Sequence, residues 1–429
     1  MCYSLLWTLY WLGMNNAVDI AVLRQQLQQL VFKPASKNCQ NPYSKSVFKQ
    51  LSECHTAQGG MHRLRCNDPD YGHEHYQYHN CGNRHCPNCG GMRRQQWLGD
   101  KTAELLPTAY YHVVFTLPNE LNSLIMGNRK LLFGLLFEAS SYTLLTLAKD
   151  PKGLGATLGI IGILHTWGQD LNFHPHVHCI VSGGGVVESK ENMRWVNGKR
   201  KSNSFLFPKP ILQKIFKAYF LKRIRKMVQN NEVQTIDKAD TEYMLHEIGF
   251  KRWNVYAKKP FGGPLQVLEY LGRYTHKVAV TPHRIKDIDG KQSTVTFSYK
   301  NYRKRNTKEE HQEMTLSIAE FTRRFEQHIL PKGFVKIRHY GYLRNHNRSQ
   351  RLRDIFTLMN LPPPPPKVEI PAAQRMFENH GIDIAQCPQC KSGRMELVAT
   401  YYHGILCKNG GRKSKSVLIK NKDPAKARH

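Results

Sequence analysis

Acid is what this chain is short of. Its 429 residues hold 32 Asp and Glu against 63 Lys and Arg, a net charge of +31 and a pI near 9.8. An excess of that size repels itself unless a polyanion balances it, and nucleic acid is the commonest one. A long basic amphipathic helix is also missing, which weakens a membrane-surface reading. The opening Met1–Leu12 is apolar, yet too short to span a bilayer. It lacks the basic residues that precede the apolar core of a secretory signal. It reads as a local packing element, or as sequence upstream of the true start. No internal repeat is present. No HExxH-like pattern puts a glutamate beside the histidines, which argues against a zinc hydrolase of small substrates. Cysteine, by contrast, is plentiful: 11 residues, an odd number, grouped as Cys81, Cys86, Cys89 and as Cys387, Cys390. CxxC pairs in a large basic protein favour zinc in a reducing compartment over disulfides. The expected location is therefore the cytoplasm, in association with the nucleoid.

The chain is long enough for more than one domain. Residues 1–53 form an N-terminal helical region, with apolar spacing from Val18 to Val31 broken at Pro34. Residues 54–97 are dense in Cys, His, Gly and Asn with little apolar periodicity, so burial alone cannot hold them. A core follows over 105–300. It contains strands at Tyr110–Leu117 and Leu158–Trp167, and helices at Leu131–Leu147, Ile211–Met227 and Leu265–His276. A strand over 293–305 leads into a core extension, 301–360. The prolines of 362–366 mark a linker over 361–371. Beyond it, 372–429 carries the second CxxC and a basic tail from Lys408 whose one acid is Asp423, a disordered, nucleic-acid-seeking composition.

The stretch His174-Pro175-His176-Val177-His178-Cys179-Ile180-Val181-Ser182 reads as a short strand ended by Gly183-Gly184-Gly185. Strand side chains alternate, so His176 and His178 share a face. His165 sits on the preceding strand, and residues 168–173 can form the connecting turn. If the two strands pair antiparallel, three neutral imidazoles meet with an open position, a set suited to a divalent ion that also holds a substrate. His174 is a fourth candidate that Pro175 turns away. Gln169 and Asp170 are substitute or supporting ligands. The plain alternative is that His165 only packs beside Trp167.

Tyr270 and Tyr274 lie four apart in Glu269–Lys277, on one face of a helix. Two aromatic core positions would explain a YxxxY pair. Here Arg273, His276 and Lys277 crowd the same turn, and a buried stripe seldom carries that much cation. Cations and a divalent metal favour the phenolate and polarise a phosphate. The implied chemistry is transesterification, with a tyrosine oxygen attacking a DNA phosphate and the bond energy kept in a phosphotyrosine.

The order of motifs resembles a known family. It runs Val113-Val114-Phe115-Thr116-Leu117-Pro118, His165-Thr166-Trp167-Gly168-Gln169, then the His174–His178 strand with its glycines. Next come Lys259-Pro260-Phe261-Gly262-Gly263-Pro264, Tyr270-Leu271-Gly272-Arg273-Tyr274-Thr275-His276 and Arg338-His339-Tyr340-Gly341. From about residue 54 to about 350 this resembles the rolling-circle, two-tyrosine transposases of insertion sequence family ninety-one, of the HUH class of single-strand endonucleases. The resemblance implies an α+β fold: an antiparallel sheet flanked by helices, with an N-terminal zinc-binding domain. It implies His176 and His178, with His165, as ligands of Mg²⁺ or Mn²⁺. Tyr270 and Tyr274 correspond to the nucleophiles, and the substrate would be single-stranded DNA at transposon ends. A replication initiator or relaxase shares this chemistry, and a non-catalytic zinc-dependent DNA-binding protein would keep only the head.

In that head, Cys81, Cys86 and Cys89 form a knuckle for structural Zn²⁺, with Cys66 the chosen fourth ligand and Cys54, His62, His73 and His85 competing. The family usually has a CxxC pair where this chain has Cys66-Asn67-Asp68-Pro69. Arg84, Arg93 and Arg94 flank the knuckle and suit phosphate contacts. Lys258, Lys259, Arg273 and Lys277 are the other DNA-binding candidates. A zinc staple with no DNA contact is the plain alternative. Cys387 and Cys390 make half a site, to which Cys407 could add a ligand.

Overall fold

The computed structural model describes residues 17–189, 192–198, 207–258, 266–267, 272, 278–301, 304, 307–365 and 370–407. Among these the strands are β1 (Met61–Cys66), β2 (Glu74–Tyr78), β3 (Tyr110–Thr116), β4 (Thr157–Trp167), β5 (Phe173–Glu188), β6 (Met193–Asn197) and β7 (Val255–Lys258). They continue with β8 (Ile285–Asp289), β9 (Thr294–Lys300), β10 (His311–Ser317), β11 (Ile337–Gly341), β12 (Met395–Tyr402) and β13 (Ile405–Leu406). The chain divides into two units, one of residues 1–22, 49–83 and 367–429, the other of 23–48 and 84–366. Both are built on antiparallel sheets, so the fold is α+β.

The first unit is a sheet in the order β13-β12-β1-β2. The segment after the proline run therefore does not stand apart. Its β12 pairs antiparallel with β1, from Met61 opposite Tyr401 to Cys66 opposite Met395.

The second unit is organised on a sheet in the order β11-β4-β5-β3-β7, with β6 also on β5. Alternation gives β5 two different faces. Val177, Cys179 and Val181 join Val113, Phe115 and Ile160 in a core closed by helices α1 (Arg129–Lys149) and α2 (Lys209–Gln229). Helix α1 is long and apolar enough to cross a membrane, but 61% of its apolar stretch is buried within the unit. Ile180 on the other face joins Ile161, Ile163, Val267 and the Leu352, Ile355 and Phe356 side chains of α3 (Arg348–Leu358). A separate sheet, β10-β9-β8, packs Phe297 against Phe321 of the helix Ile318–Gln327.

Two expected boundaries move. The strand does not stop at Gly183-Gly184-Gly185; β5 runs through them to Glu188 and pairs there with β6. These glycines are needed for close approach rather than for a turn. A Cβ at Gly183 would stand 2.7 Å from the Ala109 carbonyl oxygen, and one at Gly185 the same distance from that of Thr157. Nor does the helix break at Pro34. A widened π turn, Leu27–Phe32, leads directly into the helix Lys33–Asn38. The wider turn just ahead of the proline removes the ordinary carbonyl spacing with which its ring would clash.

Candidate active site and cysteine head

Strands β4 and β5 form a hairpin in which His165 lies directly opposite His176. His178, two residues on, projects from the same face. The three imidazoles bring ligand nitrogens within 4.8 Å of one another. His165 and His178 are buried, at 3% and 8% exposure, while His176 lies at the partly open edge. His165 also stacks on Trp167, with ring centroids 4.7 Å apart, so packing beside tryptophan and joining the cluster are the same placement.

Each strand histidine is aimed by a partner. His176 Nδ1 donates to the His174 carbonyl at 2.6 Å, which turns Nε2 toward the cluster. Burial pushes the His176 pKa down to about 4, so the ring is a neutral donor at pH 7. His178 Nδ1 meets Nε2 of His112 at 2.8 Å, the two rings within 9° of parallel. If His178 ligates through Nε2, its Nδ1–H donates to His112. A second-layer partner of this kind fixes ring orientation and tautomer. His112 escaped the sequence reading because it sits among apolar residues of β3. Its parity on that strand was the available signal.

The turn joining the two histidine-bearing strands is clamped at three successive carbonyls. Arg284 donates to that of Gln169, Arg324 to that of Asp170 at 2.9 Å, and His328 Nε2 to that of Leu171 at 3.0 Å. Leu171 adopts φ 61°, a left-handed conformation that costs a bulky residue energy and persists where its surroundings enforce it. Asp170 is not brought into the cluster. Its carboxylate holds the Asn172 side chain and backbone N–H instead. His174 contributes its carbonyl, and its exposed ring stays outside the group.

The cysteines divide differently from the expectation. Cys66 does not complete the knuckle; it lies with Cys387 and Cys390. Cys54 takes its place. Cys54 and Cys81 lie together in the first unit, and Cys86 and Cys89 stand at the start of a stretch of the second. Strand geometry explains the exchange. β1 and β2 pair antiparallel, so the end of β2 lies beside the start of β1. His55 N–H bonds the His79 carbonyl at 2.9 Å, bringing Cys54 to Cys81, whose N–H donates to Cys54 Sγ at 3.4 Å. Cys66 ends β1, roughly 16 Å further along at ~3.3 Å per residue. Asn83 and Asn88 N–H groups point at the Cys81 and Cys86 sulfurs, at 3.5 and 3.4 Å.

Of the basic candidates, Arg84 donates to the Phe334 and Pro331 carbonyls, Arg94 is exposed on the helix Gly91–Thr102, and Arg93 lies in the same helix. Lys258 ends β7 opposite His112. Tyr270, Tyr274, Lys259, Arg273 and Lys277 lie outside the described residues.

Two family models match this chain. A "Transposase zinc-binding domain" covers residues 22–117, and a "Putative transposase" domain covers 159–351. The first holds Cys54, Cys66, Cys81, Cys86 and Cys89; the second holds all three clustered histidines. "Putative transposase y4qJ" of Sinorhizobium fredii (strain NBRC 101917 / NGR234) is 39% identical over 367 residues, 83% of this chain and 89% of that protein. The chain belongs to the IS91-type transposases. This transposase is also 29% identical over 353 residues to "Transposase for insertion sequence element IS801" of Pseudomonas savastanoi pv. phaseolicola, covering 80% of this chain and 81% of the relative. No solved structure matches it. A transposase acts on DNA at the ends of its element, and the basic surplus of this one fits that partner.

Proposed function

We propose that this transposase nicks and rejoins single-stranded DNA at transposon ends by tyrosine transesterification, as an HUH enzyme of rolling-circle type. The observation that carries the reading is the convergence of His165, His176 and His178 on one sheet face, with His176 and His178 each aimed by a partner. Three imidazoles with open positions fit a divalent ion of borderline softness, Mn²⁺ more readily than the oxygen-preferring Mg²⁺. Such an ion, when bound, polarises the scissile phosphate and favours charge developing on it.

The chain's own residues do the rest. His112 and the His174 carbonyl hold His178 and His176 in orientation. Tyr270 and Tyr274 are the nucleophiles. A phenol oxygen forms a new bond to phosphorus, the bond to one bridging strand oxygen breaks, and that oxygen leaves as a hydroxyl with the proton. The reverse step restores the tyrosine and rejoins DNA without ATP. The Cys54, Cys81, Cys86 and Cys89 thiols hold structural Zn²⁺, and Arg84, Arg93, Arg94, Lys258, Lys259, Arg273 and Lys277 are the DNA contacts. The place of action is the cytoplasm, on the nucleoid.

The test is incubation with single-stranded DNA and Mn²⁺ or Mg²⁺, followed by a denaturing gel and mass mapping of the linked residue. Tyr270→Phe with Tyr274→Phe should leave strand binding nearly intact and abolish covalent adducts. Adducts that survive the double change would sink the tyrosine assignment. Cleavage unchanged in EDTA, or in His176→Ala, would defeat the metal assignment.

A further inference from the structure

We propose that Cys66, Cys387 and Cys390 form a second zinc site, separate from the knuckle, in which the C-terminal CPxC completes the head. The zinc-binding family region ends at residue 117 and so contains only the first of these cysteines. The observations behind the proposal all lie within the β13-β12-β1-β2 unit, and none depends on the transposition chemistry.

The spacing is that of thiolates around one ion. Cys66 Sγ and Cys390 Sγ stand 3.7 Å apart. Tetrahedral zinc with Zn–S bonds of about 2.3 Å places its sulfurs about 3.8 Å apart. A disulfide needs about 2.05 Å, so the pair is set for a shared ion rather than for a bond. All three sulfurs fall within 4.8 Å of one another. The backbone supplies donors to two of them: Asp68 N–H reaches Cys66 Sγ at 3.4 Å, and Gly393 N–H reaches Cys390 Sγ at 3.2 Å. These dipoles favour the ionised thiolate that zinc requires.

The loop is also cut to keep the space between the sulfurs open. A Cβ on Gly393 would lie 2.4 Å from Cys66 Sγ and 3.2 Å from Cys390 Sγ. Any other residue there would push into the sulfur cluster. Cys387 N–H bonds the Gly393 carbonyl at 2.8 Å, closing the loop, and Lys391 takes the left-handed turn with φ 57°. The sequence Cys387-Pro-Gln-Cys390 repeats the form of Cys86-Pro-Asn-Cys89. Cys387 is fully buried and Cys390 partly open.

Zinc content of the purified full chain, measured by elemental analysis, tests this. Cys54→Ser/Cys81→Ser and Cys387→Ser/Cys390→Ser should each lose one equivalent relative to wild type, and the quadruple variant two. Any metal held by the histidines is common to all four proteins and cancels. A Cys387→Ser/Cys390→Ser protein with wild-type zinc would overturn the proposal. A readout on the unmutated chain guards against misfolded variants. Maleimide labelling with mass spectrometry should find Cys66, Cys387 and Cys390 protected together, and all three labelled together once a chelator is added. Labelling of the three at the same rate with and without chelator would overturn the site as well.

Discussion

His112 lies outside the three-histidine cluster and still bears on its geometry. It holds His178 through a 2.8 Å contact between ring nitrogens. Removing such a partner typically weakens metal binding ~10–100-fold. His112→Ala should therefore raise the Mn²⁺ concentration needed for half-maximal strand cleavage by about that factor, with little loss of rate at saturation. His112→Gln, which keeps an acceptor, should recover part of the shift. A metal-titration series on single-stranded DNA decides it, and identical curves for wild type and His112→Ala would remove His112 from the site. The meeting of the three histidines was legible from the sequence because a His-x-His strand and a nearby histidine form a recognisable pattern. His112 was not, because one histidine amid Tyr110, Tyr111, Val113 and Val114 looks the same as a core residue. Cys66 was misplaced for a different reason. Its partners Cys387 and Cys390 lie more than 300 residues away, and no local spacing could reveal them.

At the scale of elements, the β-branched runs of β3 and β4 fixed their strands within a residue or two, while β5 runs on six residues past the expected end at Ser182, to Glu188. Glycine usually ends a strand because it contributes no side-chain packing. Here three in succession are required by what crosses them, a fact that only the neighbouring strands supply. Gly183→Ala puts a methyl group 2.7 Å from a backbone oxygen that cannot swing away. It should cost about 1–3 kcal/mol, the usual range for overpacking. Thermal unfolding would read this as a lower melting temperature. An unchanged midpoint would mean that β3 shifts to make room. The metal dependence of cleavage should stay as in wild type, since His176 and His178 lie at the other end of β5.

For the molecule as a whole, two conditions govern behaviour: pH and salt. Burial holds His328 near a pKa of about 4 and His339 near about 3, both below the ordinary 6.5. The unfolded chain takes up these protons first as pH falls. Stability from this source is therefore complete above about 6.5 and drains away through the span down to 4 and 3. Unfolding midpoints should drop between pH 7 and 5, and His328→Gln should flatten part of that slope. An equal slope in the variant would exclude His328 as a contributor. Salt acts on the +31 charge. Log affinity for single-stranded DNA should fall linearly with log salt, by ~0.7 for each phosphate neutralised. A binding curve insensitive to salt would contradict a basic contact surface.

The pairing of β1 with β12 also sets a timetable. Cys66 and Cys390 are separated by 324 positions. A ribosome adding ~5–20 residues per second needs on the order of tens of seconds to make that stretch. Throughout it, one edge of β1 waits without its neighbour strand, and the histidine-bearing sheet, whose last strand ends at Gly341, is made before β12. The head is thus the first part begun and the last part finished. A copy of the element with a stop codon between Gly341 and Met395 would yield a chain with its three-histidine sheet made and its head still open.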